Sequence, residues 1–377
     1  MDFTAVDKLI TDGVEKGVFP GVVVLVGQGS SVLYQRAAGW RSLEPTRTPT
    51  NEDMIYDIAS LTKPLATTVA LILLVKEKKL RLDDRVSRFF PNFGAYGKQT
   101  MTFRHVLSHS SGFAAWRPYY KDIGQREAKE GRVSFLGTRS AREHVYTQLL
   151  REQLDSPPGQ KTAYSDLGFM LLGAVVEEIS GLEFDQYCRE KIFHPLDLPD
   201  TSFINLEKKR RLGARPREER FAPTERCSWR KRILCAEVHD DNAYAMGGIA
   251  GHAGMFSTVN DVHRLVSCLI ACYRGEQSFL PSALVQQFWT RDSTVIDSTW
   301  ALGWDTPSPQ NSSAGSFFSS HSVGHLGFTG SSVWIDLQNQ VHVVVLSNRV
   351  HPRRDNEQIK TFRPALHDAV MRAVLGK

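Results

Sequence analysis

Cysteine is scarce in this sequence, with five residues among 377 and no Cys-x-x-Cys pair. An odd number without a dense framework argues against a disulfide scaffold. The chain also lacks an uninterrupted apolar run of about 18 residues, so no membrane span is predicted. Its N-terminus has neither a basic leader nor a small-residue cleavage site. We therefore expect a cytoplasmic protein, or a periplasmic or secreted one if a leader has been removed.

A strong excess of one charge is also missing, since the formal net charge is only +5. Much of it comes from the segment 208–232, where Glu218, Glu219 and Glu225 interrupt the basic residues. This pattern favours a solvated surface loop, and no nucleic-acid partner is predicted. Binding of that segment to a nucleic acid or an anionic surface is the alternative.

The composition is that of a globular protein, with 41% apolar and 23% charged residues. Strand-like patterns lie near both chain ends, at 21–26, 31–38, 332–336 and 341–346, and helical patterns at 4–17, 65–80, 168–179, 262–272 and 357–374. This order predicts an α/β fold of the α+β type, with one mainly antiparallel sheet, flanking helices and an inserted helical lobe. We expect one catalytic domain over 1–377, with its sheet lobe at about 1–60 and 290–377 and its helical lobe at about 80–290.

The first chemical motif is Ser60-Leu61-Thr62-Lys63, an S-x-x-K sequence at the start of an apolar helix. A serine hydroxyl needs a base, and residues three apart share a helix face, which places the lysine amine beside the hydroxyl. Burial can lower a lysine pKa enough for this work. Because a chain of this composition contains about one such motif by chance, a solvated helix lysine is the alternative.

Further motifs follow in order along nearly the whole chain. Segments 59–64, 82–86, 103–112, 158–159, 164–166, 247–254 and 324–330 together resemble the superfamily of class C β-lactamases and low-molecular-weight penicillin-binding proteins, which also contains esterases and peptidases. The resemblance implies a serine β-lactamase/DD-peptidase-like fold. It also implies a serine hydrolase that works through an acyl-enzyme on Ser60.

The family's Tyr-x-Asn motif corresponds here to Tyr164-Ser165-Asp166. The resemblance implies that Tyr164 shares the base role with Lys63 and later returns the proton. Asp166 departs from the family's Asn and cannot donate an amide hydrogen bond. As a partner of Lys63 it would fix the lysine but also raise its pKa.

The family's Lys-Thr-Gly motif corresponds to His325-Leu326-Gly327, and esterase-like relatives often have His there. His325 could donate a hydrogen bond to Tyr164 or to the substrate. Gly327 would let the strand approach the substrate, whereas Leu326 lacks a hydroxyl to hold a β-lactam or peptide carboxylate. By the resemblance, the backbone amides of Ser60 and Phe328 form the oxyanion hole.

These departures predict a small-molecule or peptide substrate: an ester, an amide or a D-amino-acid peptide, with weak or no β-lactamase activity. Three alternatives stay open: a true β-lactamase or penicillin-binding DD-peptidase, a non-catalytic binding module on the same fold, and a metallohydrolase using His105, His109 and the Asp240 region. The two histidines are four residues apart, as metal ligands on a helix can be, but no Glu follows His105 as in H-E-x-x-H and no third ligand is evident. A structural turn is therefore favoured, and no metal or other cofactor is predicted.

Two further features have open interpretations. His252 lies in a glycine-rich loop, where it either packs against backbone or lines the cleft. The Ser- and Gly-rich segment 306–324 precedes His325 and is either a lid over the cleft or a surface loop.

Overall fold

The computed structural model describes residues 1–130, 135–213 and 216–376. Arg215, which belongs to the basic segment 208–232, lies outside the described residues. All five cysteines are free thiols, in agreement with the absence of a disulfide framework.

The strands collect into one main antiparallel sheet, as the sequence predicts, and two small ones. They are β1 Gly21–Gln28, β2 Ser31–Ser42, β3 Thr48–Pro49, β4 Tyr56–Asp57, β5 Ser202–Phe203, β6 Arg226–Cys227, β7 Arg232–Ile233, β8 Met255–Ser257, β9 Ser322–Leu326, β10 Ser332–Asp336 and β11 Val341–Ser347. Within the described residues the main sheet has the order β3-β2-β1-β11-β10-β9. The two ends of the chain therefore meet where β1 pairs with β11.

The helices are α1 Thr4–Glu15, α2 Val69–Lys76, α3 Phe103–Leu107, α4 Tyr119–Glu130, α5 Arg139–Arg151, α6 Asp166–Ser180, α7 Phe184–Cys188, α8 Leu206–Leu212, α9 Asp241–Ala245, α10 Val259–Arg274, α11 Ser282–Trp289 and α12 Ile359–Leu375. Along the chain, helices α2 to α11 lie between the strands β1–β3 and β9–β11 of the main sheet, and α10 packs against β1 and β11. Among the described residues one helical stretch, Ala59–Lys76, is long and apolar enough to cross a membrane, but 83% of it is buried inside the protein, as in a core helix.

Strand β1 explains how the sheet is covered on both faces. Successive side chains of a strand point to opposite faces. Val22 and Val24 pack in a core with α1 and α12, whereas Val23 and Leu25 pack in the larger core that includes α2, α6 and α10. Because both faces of β1 are buried, apolar residues occupy successive positions and do not alternate with polar ones. The sequence of β1 is therefore a continuous apolar segment.

The segment 306–324 packs against α12. Phe318 is buried in the core shared with α12, and the carbonyl of Ser313 accepts a hydrogen bond from His367 Nδ1. No residue of this segment is in the wall of the catalytic cavity described below. The lid interpretation is therefore wrong, because the segment is fastened to the helical layer behind the sheet.

Candidate active site

Ser60 lies in a tight turn between β4 and the first core helix. The residues Ala59–Leu61 form one 3-10 turn, and Lys63–Thr68 form a π-helical turn that continues as α2. Ala59 has φ 49°, in the left-handed region, which costs an L-residue about 1–2 kcal/mol. Its N–H donates to the buried carboxylate of Asp57 at 2.8 Å, and this hydrogen bond stabilises the turn before Ser60.

Lys63 is fully buried at the centre of the site. Its ammonium donates to Ser60 Oγ at 3.0 Å, the Tyr164 hydroxyl at 2.6 Å, Asp166 Oδ1 at 2.7 Å and the carbonyl oxygen of His252 at 3.2 Å. The structure thus brings together the serine, lysine, tyrosine and aspartate that the sequence singled out. His252 also takes part in the site: its backbone carbonyl accepts a hydrogen bond from Lys63, and its imidazole is bonded to Asp240.

The N-terminus of α6 positions both Tyr164 and Asp166. Ser165 between them is the N-cap, and its hydroxyl accepts from the Gly168 N–H. The Ser165 N–H donates to His109 Nδ1 at 3.1 Å. Tyr164 therefore stands just before the helix, and Asp166 is its first residue, which turns both side chains toward Lys63.

His109 and His105 have structural roles. The ring of His109 packs 4.8 Å from the Tyr164 ring and 4.3 Å from the Trp300 ring, and burial holds its pKa well below the usual range. His105 belongs to the capping box at the start of α3, with Thr102. The sequence favoured such a turn, and the structure brings neither ring to the acidic residues of the Asp240 region.

The described residues do assemble another group with metal-ligating side chains. One ligand atom each of Asp166, Asp240 and His252 lies within 4.8 Å of the others. His252 Nε2 is hydrogen-bonded to Asp240 Oδ1 at 2.9 Å, and Asp166 is paired with Lys63. These groups therefore form a hydrogen-bonded network around the lysine, and we derive no metal chemistry from them.

The charges in this network keep its central groups protonated. Burial lowers the pKa of Lys63, but the nearby charges of Asp166 and Tyr164 and their hydrogen bonds outweigh burial, so the pKa is raised above its usual value. Burial raises the pKa of Tyr164, although the Lys63 charge opposes this. The resting site at neutral pH thus contains an ammonium and a phenol. The pairing with Asp166 has the effect that the sequence analysis anticipated.

His325 is buried at the end of β9, with 3% of its surface exposed. Its Nδ1 lies 2.8 Å from the carbonyl oxygen of Leu326, so Nδ1 must carry the proton and Nε2 has a free lone pair. Burial, assisted by the Lys63 charge, lowers the pKa of His325 to about 3. The expectation that His325 donates toward Tyr164 or substrate is corrected: its Nε2 is an acceptor.

The predicted oxyanion hole has two free donors. Within the described residues, neither the Ser60 N–H nor the Phe328 N–H makes a hydrogen bond, whereas Gly327 N–H closes a turn onto the Ser331 carbonyl. A Cβ at Gly327 would lie 2.5 Å from the Ile58 carbonyl oxygen. Only glycine therefore lets the chain at the end of β9 approach the turn that carries Ser60.

A cavity of about 630 Å³ opens above Ser60. Aromatic side chains form much of its rim: Trp116, Tyr164, Trp300 and Phe328. Leu326 and Gly327, at the end of β9, also line the cavity, and so does His252. Each candidate cleft residue from the sequence is therefore in this wall.

Two buried arginines in the cavity wall were missed by sequence reasoning. Arg363 Nη2 donates to the carbonyls of Gly327 and Ser331, and Arg349 Nε donates to the Phe328 carbonyl at 2.8 Å. Neither arginine forms an ion pair with a carboxylate in the described part of the chain. Burial lowers both pKa values, that of Arg363 to about 9. For Arg363 the sequence did contain a signal, since a charged residue on the apolar face of α12 indicates a buried cation.

The comparisons with known proteins agree with this geometry. The family model described as Beta-lactamase matches residues 6–365. The chain belongs to the β-lactamase family. It is a serine hydrolase of that family.

Among its relatives in this family, a protein of Escherichia coli K12 named a D-alanyl-D-alanine carboxypeptidase is 32% identical over 374 residues, covering 92% of this chain and 82% of the relative. The N-acetylmuramyl-L-alanine amidase of Bacillus subtilis strain 168 is 30% identical, covering 92% and 80%.

Solved structures show the same fold. The octameric penicillin-binding protein homologue from Pyrococcus abyssi has a TM-score of 0.73 and 22% identity, over 100% of this chain and 78% of that one. EstCE1, a hydrolase with promiscuous acyltransferase activity, has a TM-score of 0.70 and 22% identity, over 96% and 97%.

Proposed function

We propose that this enzyme hydrolyses an acyl substrate in two steps through an ester on Ser60. The observation that carries the proposal is the single ammonium of Lys63, which bonds both the Ser60 hydroxyl and the Tyr164 phenol. A nucleophile, a proton acceptor and two free backbone N–H groups on one cavity wall are the parts that acyl transfer needs.

In the first step the Ser60 oxygen attacks the substrate carbonyl and gives up its proton to the Lys63–Tyr164 pair. This pair must first lose a proton, because both groups are protonated in the resting site. The N–H groups of Ser60 and Phe328 stabilise the oxyanion, and Tyr164 protonates the leaving group. In the second step a water molecule attacks the acyl-enzyme with the same groups acting in reverse.

We further propose that the leaving group carries a carboxylate, as in a D-alanyl peptide. Arg349 and Arg363 are two neighbouring buried cations that form no ion pair within the described residues, although the Glu357 charge acts on Arg349, and a substrate anion would offset the cost of burying them. Both hold the segment that includes Phe328, one of the oxyanion donors. The names of the relatives in Escherichia coli and Bacillus subtilis, a carboxypeptidase and an amidase, support amide cleavage.

With this proposal, Leu326 no longer argues against a substrate that carries a carboxylate. Its missing hydroxyl argued against a substrate carboxylate, but the two arginines supply that interaction from α12 and from the segment after β11. We retain the expectation of weak β-lactamase activity as part of the proposal. The second candidate function is ester hydrolysis, which the neutral His325 and the aromatic cavity rim favour.

The test compares a D-alanyl-D-alanine peptide with its C-terminal amide, a short-chain nitrophenyl ester and a chromogenic cephalosporin. We expect the free acid to be cleaved with a kcat/KM about 10- to 100-fold above that of the amide, the value of one charge-assisted hydrogen bond. The variants R349Q and R363K should reduce that ratio. Equal cleavage of acid and amide, with faster ester turnover, would favour the esterase alternative.

A further inference from the structure

Asp305 is an unpaired carboxylate in the cavity wall. Its Oδ1 accepts from the Thr299 hydroxyl at 2.7 Å and from the Thr306 N–H at 2.9 Å. Its Oδ2 has no hydrogen bond, and the side chain has no ion pair, in the described parts of the chain. One oxygen is therefore held by two hydrogen bonds while the other has no partner, and Asp305 belongs to the cavity wall.

The backbone places Asp305 at one end of the site. Asp305 and Gly324 exchange two hydrogen bonds, N–H to carbonyl, at 2.8 and 2.9 Å. The arginines hold the other end of the same wall, at Gly327 and Phe328. Gly324 and Gly327 are three residues apart, so these two backbone attachment points are separated by about 10 Å if the chain stays extended, since a strand rises about 3.3 Å per residue.

Within the described residues, Asp305 has a cation nearby but no ion pair. Arg291 is near enough to act on its charge, but Arg291 donates instead to the Thr306 hydroxyl and the Pro307 carbonyl. Burial is the main influence on Asp305 and raises its pKa to about 6. A partly dry carboxylate with one open oxygen gains most from a charged N–H donor.

We propose that Asp305 binds an ammonium group on the acyl side of the substrate, opposite the carboxylate bound by the arginines. This inference rests on the proposed function and narrows it to peptides that carry both a free carboxylate and a free amine. Asp305 acts in substrate selection and does not touch the reacting atoms.

The experiment uses two peptides that differ only at one amine: Nα-acetyl-L-lysyl-D-alanyl-D-alanine and the same peptide acetylated also at Nε. The wild-type enzyme should cleave the free-amine peptide with a kcat/KM about 10-fold higher or more. D305N should lose this preference by slowing the free-amine peptide only, and D305E should recover part of it. D297N, an exposed change of the same charge in the same loop, should leave both rates unchanged.

Two results would overturn the inference: no preference in the wild type, or an equal loss on both peptides in D305N. If neither peptide is cleaved, the proposed function fails, and the peptides are then compared as competitors against fluorophosphonate labelling of Ser60. Equal protection by both would overturn the Asp305 assignment as well. Stronger protection by the free amine would retain it without the peptidase activity.

Discussion

At the scale of single residues, Lys63 donates to both the Ser60 hydroxyl and the Tyr164 phenol while it is paired with Asp166. A neutral asparagine at this position would orient the lysine without holding its proton. The aspartate therefore sets the proton affinity of the Lys63–Tyr164 pair. This enzyme should need a higher pH to deprotonate its nucleophile than a relative with asparagine.

We predict that D166N moves the rising limb of kcat/KM to lower pH. The Asp166 charge is the largest influence that raises the pKa of Lys63, so its removal lets burial dominate and favours the neutral amine. The measurement is a pH–rate profile of wild type and D166N, with the exposed Asp122→Asn as a control. An unchanged limb, or a move to higher pH, would show that another group provides the base.

Y164F should lower kcat by about 100- to 10,000-fold while the protein remains folded, because the phenol is the proton carrier between Ser60 and the leaving group. Far-ultraviolet circular dichroism and thermal melting check the fold. A loss below 10-fold would mean that Lys63 exchanges the proton with the substrate directly.

At the scale of elements, the site depends on how closely the loop 247–254 approaches α6. A Cβ at Gly251 would lie 2.2 Å from the carbonyl oxygen of Phe169 and 2.9 Å from the Gly173 nitrogen. This contact brings the neighbouring His252 carbonyl to Lys63 and the Gly251 carbonyl to the Thr67 hydroxyl. Gly251 therefore affects the position of Lys63, although within the described residues it forms no hydrogen bond with Ser60 or Lys63 itself.

We therefore expect G251A to destabilise the protein by about 1–3 kcal/mol, the usual cost of an added carbon in a packed interior, and to lower kcat. Urea unfolding and steady-state kinetics measure the two effects. The control is G124A on α4, where an added Cβ meets nothing within 4 Å and a helix favours alanine. A G251A enzyme with wild-type stability would contradict the close packing described here.

Residue spacing predicted the local contact of the site, whereas its distant members Tyr164, Asp166 and His325 were predicted through the resemblance to a family. Ser60 and Lys63 are three residues apart, so helix geometry alone brings them into contact. The contact between Lys63 and His252 spans 189 residues, and no local pattern encodes it. The acceptor role of His325 also depends on the position of one carbonyl group, which the residue type does not reveal.

At the scale of the whole molecule, the fold buries several histidines in neutral form. Burial lowers the pKa of His342 to about 3 and that of His367 to about 4. An unfolded chain has histidines with a pKa near 6.5, so below that pH the unfolded state binds more protons than the folded one. Stability is thus complete above about pH 6.5 and falls as the pH decreases toward 4.

The expected slope is about 1.4 kcal/mol per pH unit for each such histidine. Urea unfolding of wild type and H342Q between pH 7 and 4.5 measures it, and the variant should show a shallower dependence by about that amount. Parallel curves for the two proteins would mean that His342 becomes protonated in the folded state.

The central claim is that Ser60 is the nucleophile of an acyl-enzyme. Mass spectrometry of the protein after reaction with a fluorophosphonate tests it most directly, with substrate turnover measured on the same samples. We expect one adduct on the peptide that contains Ser60, no adduct in S60A, and a loss of about a million-fold in kcat for that variant. An adduct on another residue, or an S60A enzyme that still turns over substrate at the wild-type rate, would contradict it.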